Sequence, residues 1–232
     1  MKILALESSA KAASAAVCDG EKLLAQYYQN TGLTHSRTLL KMAEDMLGNL
    51  EMTMDELDAI AVAVGPGSFT GIRIGVAAAK GLAWGAEKPL IAVSTLEAMI
   101  WQSRREDCVI CPVMDARRSQ VYNALFEFSY EGPARLTPDR AISVDQLIGE
   151  AKSSEKPFFL VGDGAEMCYN LMTDAGCAVI LAPPMLRFQT AAGVARSALD
   201  LPAVSPNDVV PNYLRLSQAE RERLERENRN TI

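Results

Sequence analysis

Histidine is nearly absent from this sequence, since His35 is the only one among 232 residues. One histidine excludes a multi-histidine metal site and a relay between two histidines. A serine–histidine–acid triad would have to use His35, and the sequence has no Gly-x-Ser-x-Gly turn to present a serine. Peptidase activity is therefore poorly supported.

Basic residues are also fewer than acidic residues in this sequence. The chain has 23 Lys and Arg residues against 29 Asp and Glu residues, which gives a formal net charge of −6. A protein that binds nucleic acid by itself needs a basic surface to meet the phosphates. Any contact with RNA is therefore expected to require a partner.

Long apolar runs are missing from the chain. No run approaches the roughly 20 residues that a membrane-spanning helix needs. The first apolar segment reaches Glu7 too soon to be a signal peptide. These absences predict a cytoplasmic protein without membrane contact.

The five cysteines are an odd number and lie mostly in apolar segments. This distribution suits reduced, buried thiols better than a disulfide framework. Cys108 and Cys111 lie in a predicted strand, where positions i and i+3 point to opposite faces. The pair is therefore expected to form neither a zinc clamp nor a redox centre.

The order of predicted elements occurs twice along the chain. Each half opens with a strand that ends in an acid, namely Glu7 after 2–6 and Asp115 after 109–114. A β-meander and then alternating helices and strands follow, which predicts a mixed sheet covered by helices in each half. The predicted strands are 14–18, 22–28, 58–64, 89–93, 120–128, 157–161 and 177–181, and the predicted helices are 35–49, 70–85, 143–152, 165–174 and 189–200.

This duplication divides the chain into two similar subdomains. The N-terminal subdomain is predicted at 1–104 and the C-terminal subdomain at 105–206, with 95–106 as the connector. The segment 207–232 is expected to return to the N-terminal subdomain. Within it, the charged stretch 220–227 is typical of a solvated helix and, secondarily, of a partner-binding one.

A glycine-rich turn, GPGS at 65–68, joins a predicted strand to a predicted helix. Gly65 and Gly67 permit backbone angles that a side chain would forbid, and Ser68 or Thr70 can cap the helix. Such turns also bind phosphate, because free N–H groups and the helix dipole converge there. This turn lacks the lysine of a P-loop and the spacing of a dinucleotide motif, so the phosphate signal is weak.

The helix after this turn carries small residues at every fourth position: Gly71, Gly75, Ala79 and Ala83. Their spacing places them on one face, where another backbone can approach closely. Two interpretations remain open, which are packing within the chain and an interface with another protein.

The element order, with an acid after the first strand of each half, resembles the actin-like ATPase (ASKHA) fold. In that fold nucleotide lies between the halves, and glycines in the turns let backbone N–H groups meet phosphate. Here the turns at 7–9 and 115–117 have acids but no glycine, and 162–164 is only a faint echo of an adenosine loop. The residues expected to form a nucleotide-contacting or structural turn are Glu7, Ser8, Gly65, Gly67, Ser68, Thr70, Asp115 and Arg117.

Several short segments together resemble the TsaB family over nearly the whole chain. They are 3–9 (ILALESS), 34–36 (THS), 65–75 (GPGSFTGIRIG), 93–96 (VSTL), 114–118 (MDARR) and 211–216 (PNYLRL). The block at 65–75 is the most specific, whereas Glu7 stands where many members have Asp. The resemblance implies a non-catalytic paralogue within the machinery that installs threonylcarbamoyl on the adenosine beside the anticodon of tRNA.

The resemblance also implies the partners. They are TsaD, the metal-bearing catalytic subunit, and the ATPase TsaE, with tRNA bound only through the complex and a homodimer when the chain is alone. No intrinsic cofactor is implied, although ATP and magnesium are expected at the interface of the complex. The implied contact runs through the first half, with Arg73 as a polar anchor, and its residues are His35, Leu39, Met42, Met46, Gly71, Arg73, Gly75 and Ala79.

Two functions therefore compete. The first is an adaptor that activates its catalytic paralogue through its surfaces. The alternative is a working ATPase or phosphotransferase that uses Glu7 and Asp115 across the cleft, against which the missing turn glycines count.

Overall fold

A computed structural model of the chain describes residues 1–102 and 104–215. The predicted charged helix at 220–227 lies outside these residues. The first half forms five strands and three helices. They are β1 (Lys2–Glu7), β2 (Ala13–Asp19), β3 (Lys22–Gln29), α1 (His35–Asn49), β4 (Ala59–Gly65), α2 (Phe69–Gly85), β5 (Leu90–Ser94) and α3 (Thr95–Ile100).

The second half repeats this pattern with shorter elements. It contains β6 (Val109–Asp115), β7 (Gln120–Asn123), β8 (Phe126–Ser129), β9 (Gly132–Arg135), β10 (Arg140–Ser143), α4 (Val144–Lys152), β11 (Phe158–Val161), α5 (Ala165–Asp174), β12 (Val179–Leu181), α6 (Pro184–Arg187) and α7 (Ala191–Ala198).

The two sheets have the same topology. The first has the strand order β3-β2-β1-β4-β5, and the second has β10-β7-β6-β11-β12, with β8 and β9 attached beside β6. In each sheet the first strand pairs antiparallel with the meander and parallel with the later strands. The predicted duplication of a mixed sheet is therefore confirmed.

Helices cover both faces of the first sheet. Helices α1 and α2 pack on one face, where Leu39, Met46, Ile72 and Ala79 join the buried residues of β1 and β4. Helix α7 covers the other face with Ala191, Val194, Ala195 and Ala198. Strand β4 is buried along its whole length, as expected of a parallel strand between two layers.

Helix α7 and the chain after it belong spatially to the first sheet. The predicted boundary at 206 assigns α7 to the second half, but this helix contacts β1, β2, β4 and β5. Farther along, Val209 lies in the core beneath α1 and α2. The return to the first half therefore begins at α7 and not at residue 207.

The segment 120–128 forms two strands, whereas the sequence predicted one. The break follows Asn123, whose buried side-chain amide donates to the Pro112 carbonyl at 3.1 Å. Strand β7 pairs with β6 and β10, but β8 pairs with β9 and meets β6 only at Ile110. The buried polar group redirects the chain, and hydrophobic spacing alone does not reveal it.

The cysteines behave as the sequence predicts. All five are free thiols, and four of them are buried. Cys108 and Cys111 lie in hydrophobic clusters on opposite faces of the second sheet. No helix within 1–102 or 104–215 is long and apolar enough to cross a membrane.

Candidate functional site

A cleft of about 490 Å³ lies where the ends of the central strands of the two halves meet. Turns after β1, β4, β6 and β11 contribute to its walls, together with the N-terminus of α2. The lining residues are Ser9, Ala10, Lys11, Gly67, Ser68, Phe69, Thr70, Met114, Asp115, Ala116, Arg117, Tyr122, Asp163 and Arg215. Of the eight residues predicted for the nucleotide-contacting or structural turn, Gly67, Ser68, Thr70, Asp115 and Arg117 line this cleft.

Glu7 lies beneath the cleft at the end of β1 and is completely buried. Its Oε1 accepts a hydrogen bond from the Ser9 backbone N–H at 2.6 Å, while its Oε2 has no partner among the described residues. Burial, together with a smaller contribution from the nearby Asp163 carboxylate, raises the pKa of Glu7 from 4.5 to about 7. This carboxyl therefore stays partly protonated near neutral pH.

Two further acids come from the second half. Asp115 is exposed at the end of β6, and its Oδ1 accepts a hydrogen bond from the Arg117 backbone N–H at 2.7 Å. Asp163 follows β11, and its Oδ1 accepts from Gln189 Nε2 at 3.3 Å. Burial raises the pKa of Asp163. The sequence signals this residue only through the glycines on either side, which give 162–164 its faint likeness to an adenosine loop.

Sequence reasoning missed the basic side chains of the cleft. Lys11 and Arg215 line it beside Arg117, and neither was predicted as a site residue. Two acids, Asp115 and Asp163, therefore line the cleft together with these three cations. Within the described residues, no group of three or more His, Cys, Asp or Glu side chains is arranged to hold a metal ion.

The turn at 65–68 has a structural reason for both of its glycines. Gly65 has a φ of 123°, and a Cβ there would lie 2.5 Å from the Asn212 carbonyl oxygen. Gly67 has a φ of 157°, and a Cβ there would collide with the Ser9 carbonyl. The space that these glycines leave is thus filled by the chain's own backbone and not by an open phosphate cradle.

Ser68 caps helix α2. Its Oγ accepts a hydrogen bond from the Gly71 N–H at 3.3 Å, and its own N–H donates to the Ser9 carbonyl at 2.7 Å. Of the two caps predicted, Ser68 is therefore the one used. Thr70 lies in the first turn of the helix and faces the cleft.

The stripe of small residues on α2 packs inside the chain. A Cβ at Gly71 would collide with the Ser8 carbonyl, and one at Gly75 would collide with Ser8 Oγ. That hydroxyl donates to the Gly71 carbonyl at 2.9 Å, and Ala79 is completely buried. The prediction that Gly71, Gly75 and Ala79 contact a partner is therefore wrong, because Ser8 and the first sheet already occupy this face.

The predicted contact residues on α1 are also internal. Leu39, Met42 and Met46 are buried in the core between α1, α2 and the first sheet, so the prediction that they contact a partner is wrong for the same reason. His35 is half-buried, and its Nε2 lies 2.7 Å from the Ala10 carbonyl oxygen. Arg73 is exposed, and its Nε donates to Tyr213 Oη at 2.8 Å.

The opposite face of α2 is exposed and also carries small residues. Ala77 and Gly81 lie there, and a Cβ added at Gly81 would meet nothing within 4 Å. Trp84 is 55% exposed near the C-terminal end of this face, and Leu40 on the neighbouring α1 is 48% exposed. This set, Leu40, Arg73, Ala77, Gly81 and Trp84, is called the outer α1/α2 face.

Comparisons with known proteins identify the family. The model of the family described as "TsaD: tRNA N6-adenosine threonylcarbamoyltransferase" matches residues 29–222. The tRNA threonylcarbamoyladenosine biosynthesis protein TsaB of Bacillus subtilis is 30% identical over 221 residues, which are 95% of this chain and 96% of the relative. The chain belongs to the TsaB family. The TsaB of Escherichia coli is 36% identical over 135 residues, or 57% of this chain and 58% of that one.

Solved structures confirm the fold. YeaZ from Pseudomonas aeruginosa superposes with a TM-score of 0.78 and 25% identity, over 92% of this chain and 99% of YeaZ. The ethanolamine utilization protein EutJ from Carboxydothermus hydrogenoformans superposes with a TM-score of 0.50 and 11% identity, over 84% of this chain and 89% of EutJ. The predicted actin-like ATPase fold of two similar halves is therefore correct for this TsaB-family chain.

Proposed function

We propose that this chain acts in tRNA threonylcarbamoyladenosine biosynthesis as a non-catalytic adaptor that pairs with and activates a TsaD-type transferase. Membership of the TsaB family supports the pathway. The outer α1/α2 face is the observation that carries the adaptor role. Function then resides in a docking surface and not in a nucleophile.

The outer α1/α2 face is suited to a helical partner. Ala77 and Gly81 present almost bare backbone to solvent on α2, so a second helix can approach at the short end of the usual 8–10 Å interaxial distance. Trp84 on α2 and Leu40 on α1 supply exposed apolar area, and aromatic anchors such as Trp84 contribute much of the binding energy at interfaces. Arg73 supplies a charged group at the end of α2 nearest the cleft.

Activation without chemistry requires differential binding. The adaptor must bind the competent conformation of the transferase more tightly than the other conformations, because a partner shifts an equilibrium only by its difference in affinity. A rigid helix pair on a sheet is a suitable template for such selection. The tightly packed inner face of α2, with Ser8 against Gly71 and Gly75, provides this rigidity.

A bulky cation added to the outer α1/α2 face tests the docking surface. Ala77→Arg places a long cation in the middle of the outer face, and Asn170→Arg adds the same side chain to an exposed position of α5 as a matched control. Both positions are solvent-exposed on helices, so both variants should fold with unchanged melting temperature. We expect Ala77→Arg to weaken binding to TsaD from the same genome at least tenfold by isothermal titration calorimetry, and to lower threonylcarbamoyl transfer in parallel.

Equal binding by the Ala77→Arg variant, the Asn170→Arg variant and the unmodified chain would contradict the assignment of this face. A chain that shows no complex with TsaD by size-exclusion chromatography with light scattering would contradict the adaptor function itself. Gly75→Leu would not serve as a test of this face, because that side chain would collide with Ser8 and disturb the fold.

The same proposal includes the other members of the assembly. The ATPase TsaE joins the pair, tRNA binds only to the complex, and the free chain forms a homodimer through the outer α1/α2 face in the cytoplasm. The acidic net charge of −6 supports an RNA contact that depends on a partner. ATP and magnesium belong to the interface of the complex and not to a site completed by this chain.

The second candidate is an ATPase or phosphotransferase in the cleft, and the acids at the ends of β1 and β6, Glu7 and Asp115, favour it. Two features count against it. Burial keeps Glu7 partly protonated near pH 7, which weakens it as a magnesium ligand. The glycines at 65 and 67 face the chain's own backbone. Metal-dependent ATP turnover by the isolated chain that Asp115→Asn abolishes would favour this candidate over the adaptor.

A further inference from the structure

The C-terminal segment 209–215 crosses from one half of the molecule to the other beside the cleft. It follows α7 and is called the strap below. Its first residue, Val209, is buried in the core beneath α1 and α2. The Asn212 backbone N–H donates to the Val64 carbonyl at the end of β4, at 2.7 Å. The Asn212 carbonyl packs directly over Gly65, where no larger residue would fit.

An aromatic contact fixes the middle of the strap to α2. The ring of Tyr213 stacks on that of Phe69 with a centroid distance of 4.6 Å and an interplanar angle of 19°. Arg73 donates through Nε to Tyr213 Oη at 2.8 Å, and its guanidinium lies 5.5 Å from the centroid of the Tyr213 ring. Stacking and cation–π contacts together hold the strap on the first half.

The last two described residues of the strap reach the second half. Leu214 packs against the hydrophobic cluster that contains the β6 and β7 side chains. The Arg215 guanidinium donates to the Ala116 carbonyl and, at 3.5 Å, to the Arg117 carbonyl. These carbonyls belong to the turn between β6 and β7, which forms the opposite wall of the cleft.

The backbone of that turn has a strained conformation that neighbouring groups must hold in place. Arg117, Arg118 and Ser119 have φ values of 63°, 56° and 55°, which is a left-handed conformation in three successive residues other than glycine. Such conformations persist only where neighbouring groups hold them in place. Hydrogen bonds from the Gln120 and Val144 N–H groups to the Arg117 and Ser119 carbonyls hold its end, and Arg215 holds its start, because it binds the Ala116 and Arg117 carbonyls.

The other main connection between the halves runs through α3 and α7. Helix α3 packs against α7 of the first half and against β6 of the second, and Trp101 Nε1, just after α3, donates to Ser197 Oγ at 2.8 Å. A rotation of the halves about this connection would change the width of the cleft. Beside the apolar packing of Ala10 against the β6 and β7 side chains, the strap ties the two walls of the cleft directly through hydrogen bonds and ring contacts.

We propose that the strap is a clamp that holds the two halves in the closed arrangement of the cleft, with Tyr213 as its anchor on the first half and Arg215 as its link to the second. Loss of the link allows the halves to rotate apart and the turn after β6 to relax. A molecule that competes for the carbonyls of Ala116 and Arg117 would open the cleft in the same way.

The distance between the halves tests this clamp. Spin labels are placed at Glu44 on α1 and Asp145 on α4, which are exposed, in the full chain with Cys177 replaced by serine. We expect a single narrow distance distribution for the parent. In Arg215→Ala, the population at longer distance should be about tenfold larger than in the parent, because the variant loses charge-assisted hydrogen bonds. Tyr213→Ala should do the same from the opposite end.

Arg118→Ala is the matched control, since it removes an exposed arginine from the same turn without touching the strap. It should leave the distance distribution unchanged. Amide hydrogen exchange at 116–122 should become about tenfold faster in Arg215→Ala and stay unchanged in the control. Faster exchange together with an unaltered distance distribution in both strap variants would overturn the clamp and leave only a local contact. The clamp would also be overturned if Arg118→Ala changed the distance distribution and the exchange rate as much as Arg215→Ala does.

Discussion

Replacing Glu7 with glutamine should remove a pH-dependent cost of folding. Burial raises the pKa of this carboxyl from 4.5 to about 7 in the folded chain, whereas in the unfolded chain it keeps its ordinary value. Between these two values the folded state therefore binds more protons than the unfolded state, and stability falls as the pH rises. The difference amounts to about 3 kcal/mol once the pH is above 7.

The free energy of unfolding, measured by urea titration with circular dichroism from pH 5 to pH 8, checks this value. The unmodified chain should lose stability progressively over this range. Glu7→Gln keeps an oxygen that can accept from the Ser9 N–H and cannot ionise, so its advantage over the parent should grow by about 2–3 kcal/mol from pH 5 to pH 8. Glu44→Gln, at an exposed carboxylate of α1, is the control and should show no such growth.

Parallel pH profiles for Glu7→Gln and the unmodified chain would refute the reasoning. They would mean that the carboxyl ionises in the folded state as easily as in the unfolded one. Water or a cation reaching Oε2, which has no partner within the described residues, would be the physical explanation.

The remaining predictions concern packing and thiol reactivity. Gly71→Ala should destabilise the fold by about 1–3 kcal/mol in urea titrations, because the new Cβ meets the Ser8 carbonyl, whereas Gly81→Ala on the open side of the same helix should stabilise it by about 0.5–1 kcal/mol. Met46→Ala in the core should lower the free energy of unfolding by about 2–5 kcal/mol. Leu40→Ala, on the exposed side of the same helix, should change it by no more than about 0.5 kcal/mol. Equal effects of the two variants would contradict the assigned faces. Cys177 should react with iodoacetamide well before the other four cysteines, as followed by mass spectrometry, because those are buried and burial raises their thiol pKa values.

Most of the architecture could be predicted from the sequence because hydrophobic spacing and turn residues agree with each other. Helix α1 begins and ends where its apolar spacing predicts, and α5 matches at both ends as well. The duplicated order of strands follows from this agreement. Strand β10 was missed because Arg140–Ser143 has no alternating pattern, and its pairing with β7 is set by the tertiary structure.

The orientation of α2 could not be predicted in the same way. The sequence places small residues on two faces of this helix, and spacing alone cannot say which face meets the sheet. Ser8 decides it, because its side chain and carbonyl fill the space beside Gly71 and Gly75. That contact joins residues 63 positions apart, a distance that local patterns do not reach. The cleft shows the same limit, since Lys11 and Arg215 meet there only through the fold.

Four of the seventeen residues of α2 are glycines, and a glycine in a helix interior costs about 1 kcal/mol relative to alanine. An isolated peptide of this sequence would therefore hold little helix. The helix is stabilised by packing of its inner side against β4 and Ser8. Its outer side is therefore exposed as a helical surface only when that packing is in place. If a partner docks on the outer side as proposed, it would bind only chains in which this packing is complete, and a misfolded copy would lack the binding surface.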